Sequence, residues 1–253
     1  MRTRTLTTMA VTGVLLGGFT GCGAEVSDGV TAEVELAFEN FDGLLSTSEG
    51  FFVTVNGAWI TTSGIELLPC EDASAGLAPR LLRWLAPVST AHAHLTSSST
   101  MIGTTQVERV GTITPAYGTL EPPPGTWCEA RYILLDADED AFGLDETPDM
   151  LGQSLVVRGT WVRDGAEGEF EVVTSFAFDR AIAFTEPLTL RGDDTATITI
   201  VRDVQRWFDD VDFERMPPDV LAETVLFNVF DSVTYVVDVE GVADGIPDAP
   251  VEP

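Results

Sequence analysis

Lysine is absent from this chain of 253 residues, and its basic residues are few. All thirteen of them are arginine, against 41 aspartates and glutamates, so the formal net charge is −28. Such a surface repels nucleic acid and anionic lipid headgroups, and we expect neither as a partner. We interpret the acidity as a feature that keeps the protein soluble.

Histidine is also scarce, which limits the catalytic arrangements that the chain can build. The two histidines are His92 and His94, and neither a Gly-x-Ser-x-Gly elbow nor a phosphate-cradling glycine loop accompanies them. A carboxylate pair for glycoside cleavage stays open, because the many acidic residues offer too many pairs to choose from. We therefore predict that the protein is not an enzyme.

No apolar run reaches the roughly twenty residues that a membrane-spanning helix needs. The run from Met9 to Phe19 is about half that length; Arg2 and Arg4 precede it and Thr20-Gly21-Cys22 follows. This pattern predicts a lipoprotein signal peptide over residues 1–21 and a lipid, such as palmitate, on Cys22. Phe19 stands where such signals usually carry an aliphatic residue, and cleavage after Ala24 would instead release a soluble protein.

The signal peptide predicts both the domain organisation and the location. We expect a lipidated amino terminus and tether over residues 22–31, a folded domain over 32–239 and a disordered acidic tail over 240–253. Gly23 and Ala24, rather than aspartate, follow Cys22, so nothing favours retention in the inner membrane. We expect the protein at the outer membrane of the cell envelope, held by its lipid and in contact with other envelope proteins.

Three cysteines are an awkward number for an oxidising compartment. With Cys22 used as the lipid carrier, Cys70 and Cys128 remain to form a disulfide bond. That bond would close a loop of about sixty residues and stabilise the fold by about 4 kcal/mol. Two buried thiols are the alternative.

Alternating apolar and polar residues dominate the rest of the chain and predict β-strands. Val34, Leu36 and Phe38 alternate with glutamates, and the same pattern recurs from Phe170 to Phe178. Glycine, aspartate and proline punctuate the strand candidates at spacings typical of a sandwich. The sequence thus predicts an all-β fold, an antiparallel β-sandwich with a few short helices. Further strands are expected at 51–56, 59–68, 104–114, 130–136, 155–163, 196–201 and 233–239, and helices at 80–85, 203–210 and 218–230.

The segment His92-Ala93-His94 is the sharpest candidate for a metal site. In an extended backbone, residues i and i+2 point to one side, so both imidazoles can bind one copper or zinc ion. At least one further ligand would be needed, and the sequence does not select it. A pair of exposed or hydrogen-bonded histidines is the competing interpretation.

Asp136, Asp138 and Asp140 form a second candidate, because carboxylates at alternate positions can converge on calcium. Ala141 and Thr147 stand where an EF-hand loop carries its turn glycine and its bidentate glutamate. A solvated loop after a strand explains the same residues. The five tryptophans are expected in the core, and Arg191-Gly192-Asp193 is expected to be a turn.

Four segments in a fixed order carry a resemblance to known proteins. They are the strand from Trp59 to Cys70, the His92–His94 segment, Pro122 to Cys128 with the strand after it, and Met150-Leu-Gly-Gln-Ser154. In this order they resemble uncharacterised lipoproteins of myxobacteria and, more distantly, are similar to the periplasmic copper-binding MbnP-type proteins. The resemblance implies a β-sandwich with a copper site, for which His92 and His94 are the matching residues. It departs from that family's four-cysteine pattern, since two cysteines remain here besides Cys22.

These observations together predict a lipid-anchored envelope protein with a non-catalytic binding role, in which copper or another metal is the candidate ligand. The alternative is an acidic adhesion or scaffold module of the envelope that works without a metal.

Overall fold

The computed structural model describes residues 29–41, 43–70, 95–112 and 116–240. Twelve strands and one α-helix lie in this part of the chain, together with three short 3-10 helices. The α-helix, α1, spans Pro218–Asp231, and the 3-10 helices span Leu144–Glu146, Pro148–Met150 and Val204–Phe208. The strands are β1 Thr31–Glu39, β2 Leu44–Ser46, β3 Phe52–Pro69, β4 Met101–Ile102, β5 Gln106–Arg109, β6 Gly118–Leu120, β7 Gly125–Leu134, β8 Leu155–Arg163, β9 Ala166–Thr174, β10 Phe178–Leu190, β11 Thr195–Asp203 and β12 Val233–Glu240.

The strands form two sheets, which confirms the predicted all-β sandwich. The small sheet has the order β12-β11-β1-β6. The large sheet has the order β10-β7-β3-β8-β9, and β2, β4 and β5 also pair with β3. Apolar side chains from both sheets and from α1 form one buried cluster, as expected when each strand turns its apolar face inward.

One pair of strands departs from the predicted antiparallel arrangement. Strands β1 and β11 run parallel, from Thr31 opposite Thr195 to Glu39 opposite Asp203. The alternation in β1 is realised, since Val34 and Leu36 are buried and Glu33 and Glu35 are exposed. Alternation indicates which face of a strand is buried, but it carries no information about the direction of the neighbouring strand.

The strand β3 joins two segments that the sequence predicts as separate. Its register shifts between Val55 and Gly57 where it pairs with β8, which is the irregularity of a β-bulge. The bulge lets one long strand bend and continue through the region where the sequence pattern breaks. Gly57 fits this place because a Cβ atom there would lie 2.4 Å from the Trp59 ring.

The predicted alternation from Phe170 to Phe178 is wrong at its end. Phe170 and Val172 are buried in β9, but the strand ends at Thr174, and Phe176 lies outside it with 60 % of its surface exposed. The backbone N–H of Phe176 donates to Thr174 Oγ1 at 3.1 Å, which turns the chain. Threonine competes with the sheet ladder in this way, and the pattern of apolar residues does not reveal it.

The predicted helices within the described residues are present. Residues 203–210 contain the 3-10 helix Val204–Phe208, and 218–230 contain α1, which begins with proline as expected. Asn228 of α1 donates to the carbonyls of Trp207 and Asp209 at 3.1 and 2.7 Å, which joins the two helices. Residues 80–85 lie outside the described part. None of the described helices is long and apolar enough to span a bilayer.

Candidate functional site

The disulfide bond between Cys70 and Cys128 is present, as the cysteine count predicts. The two Cα atoms are 4.7 Å apart, and the cysteines are separated by 58 positions in the sequence. Cys70 follows β3 and Cys128 lies in β7, the neighbouring strand. The bond therefore fixes the point where the chain leaves the large sheet.

Three of the predicted site residues lie outside the described residues: Cys22, His92 and His94. The chain returns to the described structure at Leu95, one residue after His94. Leu95 lies against two glycines, because a Cβ atom on Gly64 would be 2.8 Å from Leu95 Cδ1 and one on Gly103 would be 2.2 Å from the Leu95 carbonyl oxygen. The two ends of the segment that carries both histidines are thus held near β3.

Asp136, Asp138 and Asp140, the predicted calcium ligands, lie in the described loop after β7, and calcium binding there stays a prediction. In the described ranges no group of three His, Cys, Asp or Glu side chains that could hold a metal ion is found. Asp138 Oδ1 accepts the backbone N–H of Asp140 at 3.2 Å, a local turn that draws the Asp138 carboxylate towards its own backbone.

The loop that carries these aspartates covers the outer face of the large sheet. Ala137, Ala141 and Met150 are buried in it and form a second apolar cluster with Val107 and Val156. Its backbone is paired with β5, since Phe142 N–H donates to the Thr105 carbonyl and Val107 N–H donates to the Phe142 carbonyl, at 2.9 and 2.8 Å. The loop therefore shields that face of the sheet. Its apolar side chains pack on the sheet, and the same loop carries the acidic residues.

A buried ion pair between Arg202 of β11 and Glu108 of β5 lies between the two sheets. Both side chains are fully buried, and the guanidinium donates to both carboxylate oxygens, at 3.0 and 2.5 Å. Thr62 Oγ1 donates to Glu108 at 2.6 Å, and the guanidinium carbon lies 3.9 Å from the centre of the Phe38 ring. Arg202 also donates to Tyr132 Oη at 3.3 Å and to the Ala37 carbonyl at 3.4 Å.

Burial and the neighbouring groups have opposing effects on the pKa values in this network. Burial alone would lower the pKa of the Arg202 guanidinium, but the adjacent Glu108 carboxylate and Tyr132 together outweigh burial and the net pKa is raised. Burial raises the pKa of Tyr132, although Arg202 opposes that shift. The pair is charged and enclosed away from solvent, so we assign it a structural role in joining five strands of both sheets.

The α1–β9 groove, between helix α1 and the end of strand β9, is the candidate binding site. Its volume is about 430 Å³, within the range of protein ligand sites. Val173, Phe176 and Phe227 are exposed to 42, 60 and 40 % and form its apolar walls. Phe227 packs edge-on against Phe178, with ring centres 5.5 Å apart, so the helix wall rests on the core. The other residues that line the groove are Gln153, Thr174, Ser175, Asp219, Ala222, Glu223 and Leu226.

The chain matches no protein-family model, no curated protein and no solved structure. The resemblance to MbnP-type proteins stays a prediction, and the function must be argued from the residues themselves.

Sequence reasoning missed both the groove and the ion pair. The groove depends on Phe176 facing solvent, whereas its place in an alternating run predicted an inward side chain. Glu108 and Arg202 are far apart in the sequence, and Glu108 stands in a short strand with other polar residues. An arginine directly after the apolar strand 196–201 is the one signal that marks a charged group near the core.

Proposed function

We propose that this protein is an exported, lipid-anchored envelope protein that acts by binding rather than by catalysis. The disulfide bond between Cys70 and Cys128 carries the proposal, because such bonds persist in oxidising compartments outside the cytoplasm. With these two thiols paired, Cys22 is the cysteine left for the lipid. Anchoring at the outer membrane places the folded domain among other envelope proteins.

Metabolic labelling with a clickable fatty acid tests the anchor. The wild-type protein should be labelled and should fractionate with the outer membrane, whereas Cys22→Ser should lose the label. An unlabelled wild-type protein that begins after Ala24 would instead support release as a soluble protein. An intact amino terminus in the cytosol, with both other thiols open to alkylation, would contradict export altogether.

The α1–β9 groove favours a scaffold or adhesion role, in which the protein binds another protein of the envelope. This role is the first of two candidate functions. An exposed apolar wall of this kind on a folded domain is typical of an interaction site. A partner protein held there should stay bound when a chelator removes metal ions. Affinity capture from envelope extracts with and without chelator makes that comparison, and the groove variants described below identify the surface that is used.

Copper binding by His92 and His94 is the second candidate, and it rests on their spacing in the sequence. Neutral imidazoles are common ligands of copper and zinc. Purified protein should be titrated with Cu(I), Cu(II) and Zn(II) beside a His92→Ala/His94→Ala variant. Loss of binding in the variant supports the site, and equal binding by the two proteins rules it out.

A further inference from the structure

We infer that the α1–β9 groove receives a short extended segment of a partner protein, in which a lysine or arginine stands two positions from an apolar side chain. The inference rests on the proposed binding role, but it does not depend on the lipid anchor.

The apolar walls of the groove define half of the partner's chemistry. Val173, Phe176 and Phe227 expose large apolar surfaces around a floor that includes the buried Leu226. Phe176 is held in this position by the turn at Thr174, and Phe227 rests on Phe178. The contact with Phe178 positions the Phe227 ring before any partner arrives, which reduces the entropy cost of ordering that side chain on binding. An apolar side chain of the partner fits here.

The charges of the groove define the other half. Asp219 and Glu223 stand one helical turn apart on α1 and line the groove. Neither forms an ion pair with another described residue, and no arginine lines the groove. The chain has a formal net charge of −28, so the wider field also attracts a cation. A lysine or arginine of the partner would meet two carboxylates that form no ion pair within the described part of the chain.

The length of the groove favours a polypeptide over a compact molecule. It follows α1 from Asp219 to Phe227, which corresponds to about 12 Å of helix. An extended chain covers that distance with about four residues. Residues i and i+2 of an extended chain point to one side, so a four-residue segment can place an apolar and a cationic side chain into the groove at once.

Fluorescence anisotropy with a labelled Leu-Leu-Arg-Arg peptide, whose i and i+2 positions pair leucine with arginine, tests the inference on the full-length protein in mild detergent. The peptide should bind, and Asp219→Asn/Glu223→Gln should weaken it about tenfold. Phe176→Ser/Phe227→Ser should weaken it to a similar degree. The control is Glu167→Gln/Glu169→Gln, which removes the same charge from exposed positions on β9 and should leave affinity within about twofold. Peptides with glutamate for arginine, or serine for leucine, should bind much more weakly.

Four results would overturn the inference. If the control variant weakened peptide binding as much as the groove variants, the affinity would depend on net charge alone. If the wild type did not bind the peptide, the groove would not receive a partner of this chemistry. Equally tight binding of octylammonium would assign the groove to a small cationic amphiphile. Peptide binding to the Arg80→Ala/Arg83→Ala variant but not to the wild type would identify this chain's own basic segment as the occupant of the groove. The same titration of Cys22→Ser separates the groove from the anchor, because failed labelling of Cys22 leaves peptide binding unchanged.

Discussion

Arg202 shows how a single residue can tie two sheets together. Its guanidinium reaches Glu108, Tyr132 and the carbonyl of Ala37, and it lies over the Phe38 ring. The free-energy cost of removing two charges from water offsets much of their attraction. Such a pair therefore contributes more to the uniqueness of the packing than to stability. Residues of the strands β1, β3, β5, β7 and β11 meet at this point.

We predict that breaking this pair from one side destabilises the protein strongly. Arg202→Met leaves the Glu108 carboxylate buried without its partner and should lower the free energy of unfolding by about 3–5 kcal/mol. Glu108→Leu together with Arg202→Met should cost less than either single change, because no buried charge then remains. Urea denaturation of all four proteins gives the coupling energy. Additive losses would contradict this account of the pair.

The three tyrosines of the chain predict a loss of stability at alkaline pH. Burial raises the pKa of Tyr117, Tyr132 and Tyr235 above the ordinary value of 10. Above that pH the unfolded chain releases three phenolic protons that the folded protein keeps, so stability present below pH 10 is lost as pH rises. The free energy of unfolding should fall by up to about 4 kcal/mol per pH unit. As pH rises, tyrosinate absorbance should increase together with unfolding. An increase at a lower pH than unfolding would contradict the prediction.

At the scale of elements, the acidic loop of residues 136–151 acts as a cover for the large sheet. Its apolar residues pack on Val107 and Val156, while Asp149 pairs with Arg158 of β8 at 2.9 Å. Loops of this length stay ordered when their backbone is hydrogen-bonded and their apolar side is buried. The loop therefore behaves as part of the fold.

We predict that the apolar side of this loop carries its stability. Met150→Ala should cost about 2–5 kcal/mol, because Met150 is fully buried beneath the loop. The triple change of Asp136, Asp138 and Asp140 to asparagine should cost less. Calcium should shift the melting temperature of the wild type no more than that of the triple variant. A calcium-dependent rise in the melting temperature of the wild type alone would instead support the predicted calcium site.

The elements also show what the sequence can predict. The faces of β1 and the positions of β8 and α1 follow from the local sequence pattern and from proline, and they are confirmed. Strand β10, Phe178–Leu190, was not predicted, because many of its residues are exposed and its pairing with β7 shifts between Ala183 and Leu188. The groove depends on the turn at Thr174 and on the approach of α1 to β9, which are tertiary contacts without a sequence period.

At the scale of the whole molecule, both the disulfide bond and the two-sheet core stabilise the fold. The bond joins the end of β3 to β7, and the core is continuous across both sheets. A domain of this size buries enough apolar surface to fold without a staple. The disulfide should therefore be important for stability without being required for the fold.

We predict that reduction lowers stability but leaves the sandwich intact. Cys70→Ser/Cys128→Ser should reduce the free energy of unfolding by about 4 kcal/mol, because the unfolded chain regains the freedom of a closed loop. Far-ultraviolet circular dichroism should stay that of a β protein. Denaturation of the wild type under oxidising and reducing conditions measures the loss of stability. The double serine variant is the matched control, because it has no disulfide bond and reductant should leave its stability unchanged. Equal stability of the variant and the oxidised wild type would refute the prediction.

The parallel pairing of β1 with β11 has a consequence for how the protein acquires its shape. Strand β1 belongs to the start of the described chain, yet its neighbour β11 is among the last strands to be synthesised. Until that neighbour is made, one edge of β1 offers unpaired peptide groups to any other chain. We therefore expect a period during biogenesis in which the nascent polypeptide must be shielded against association with its own copies.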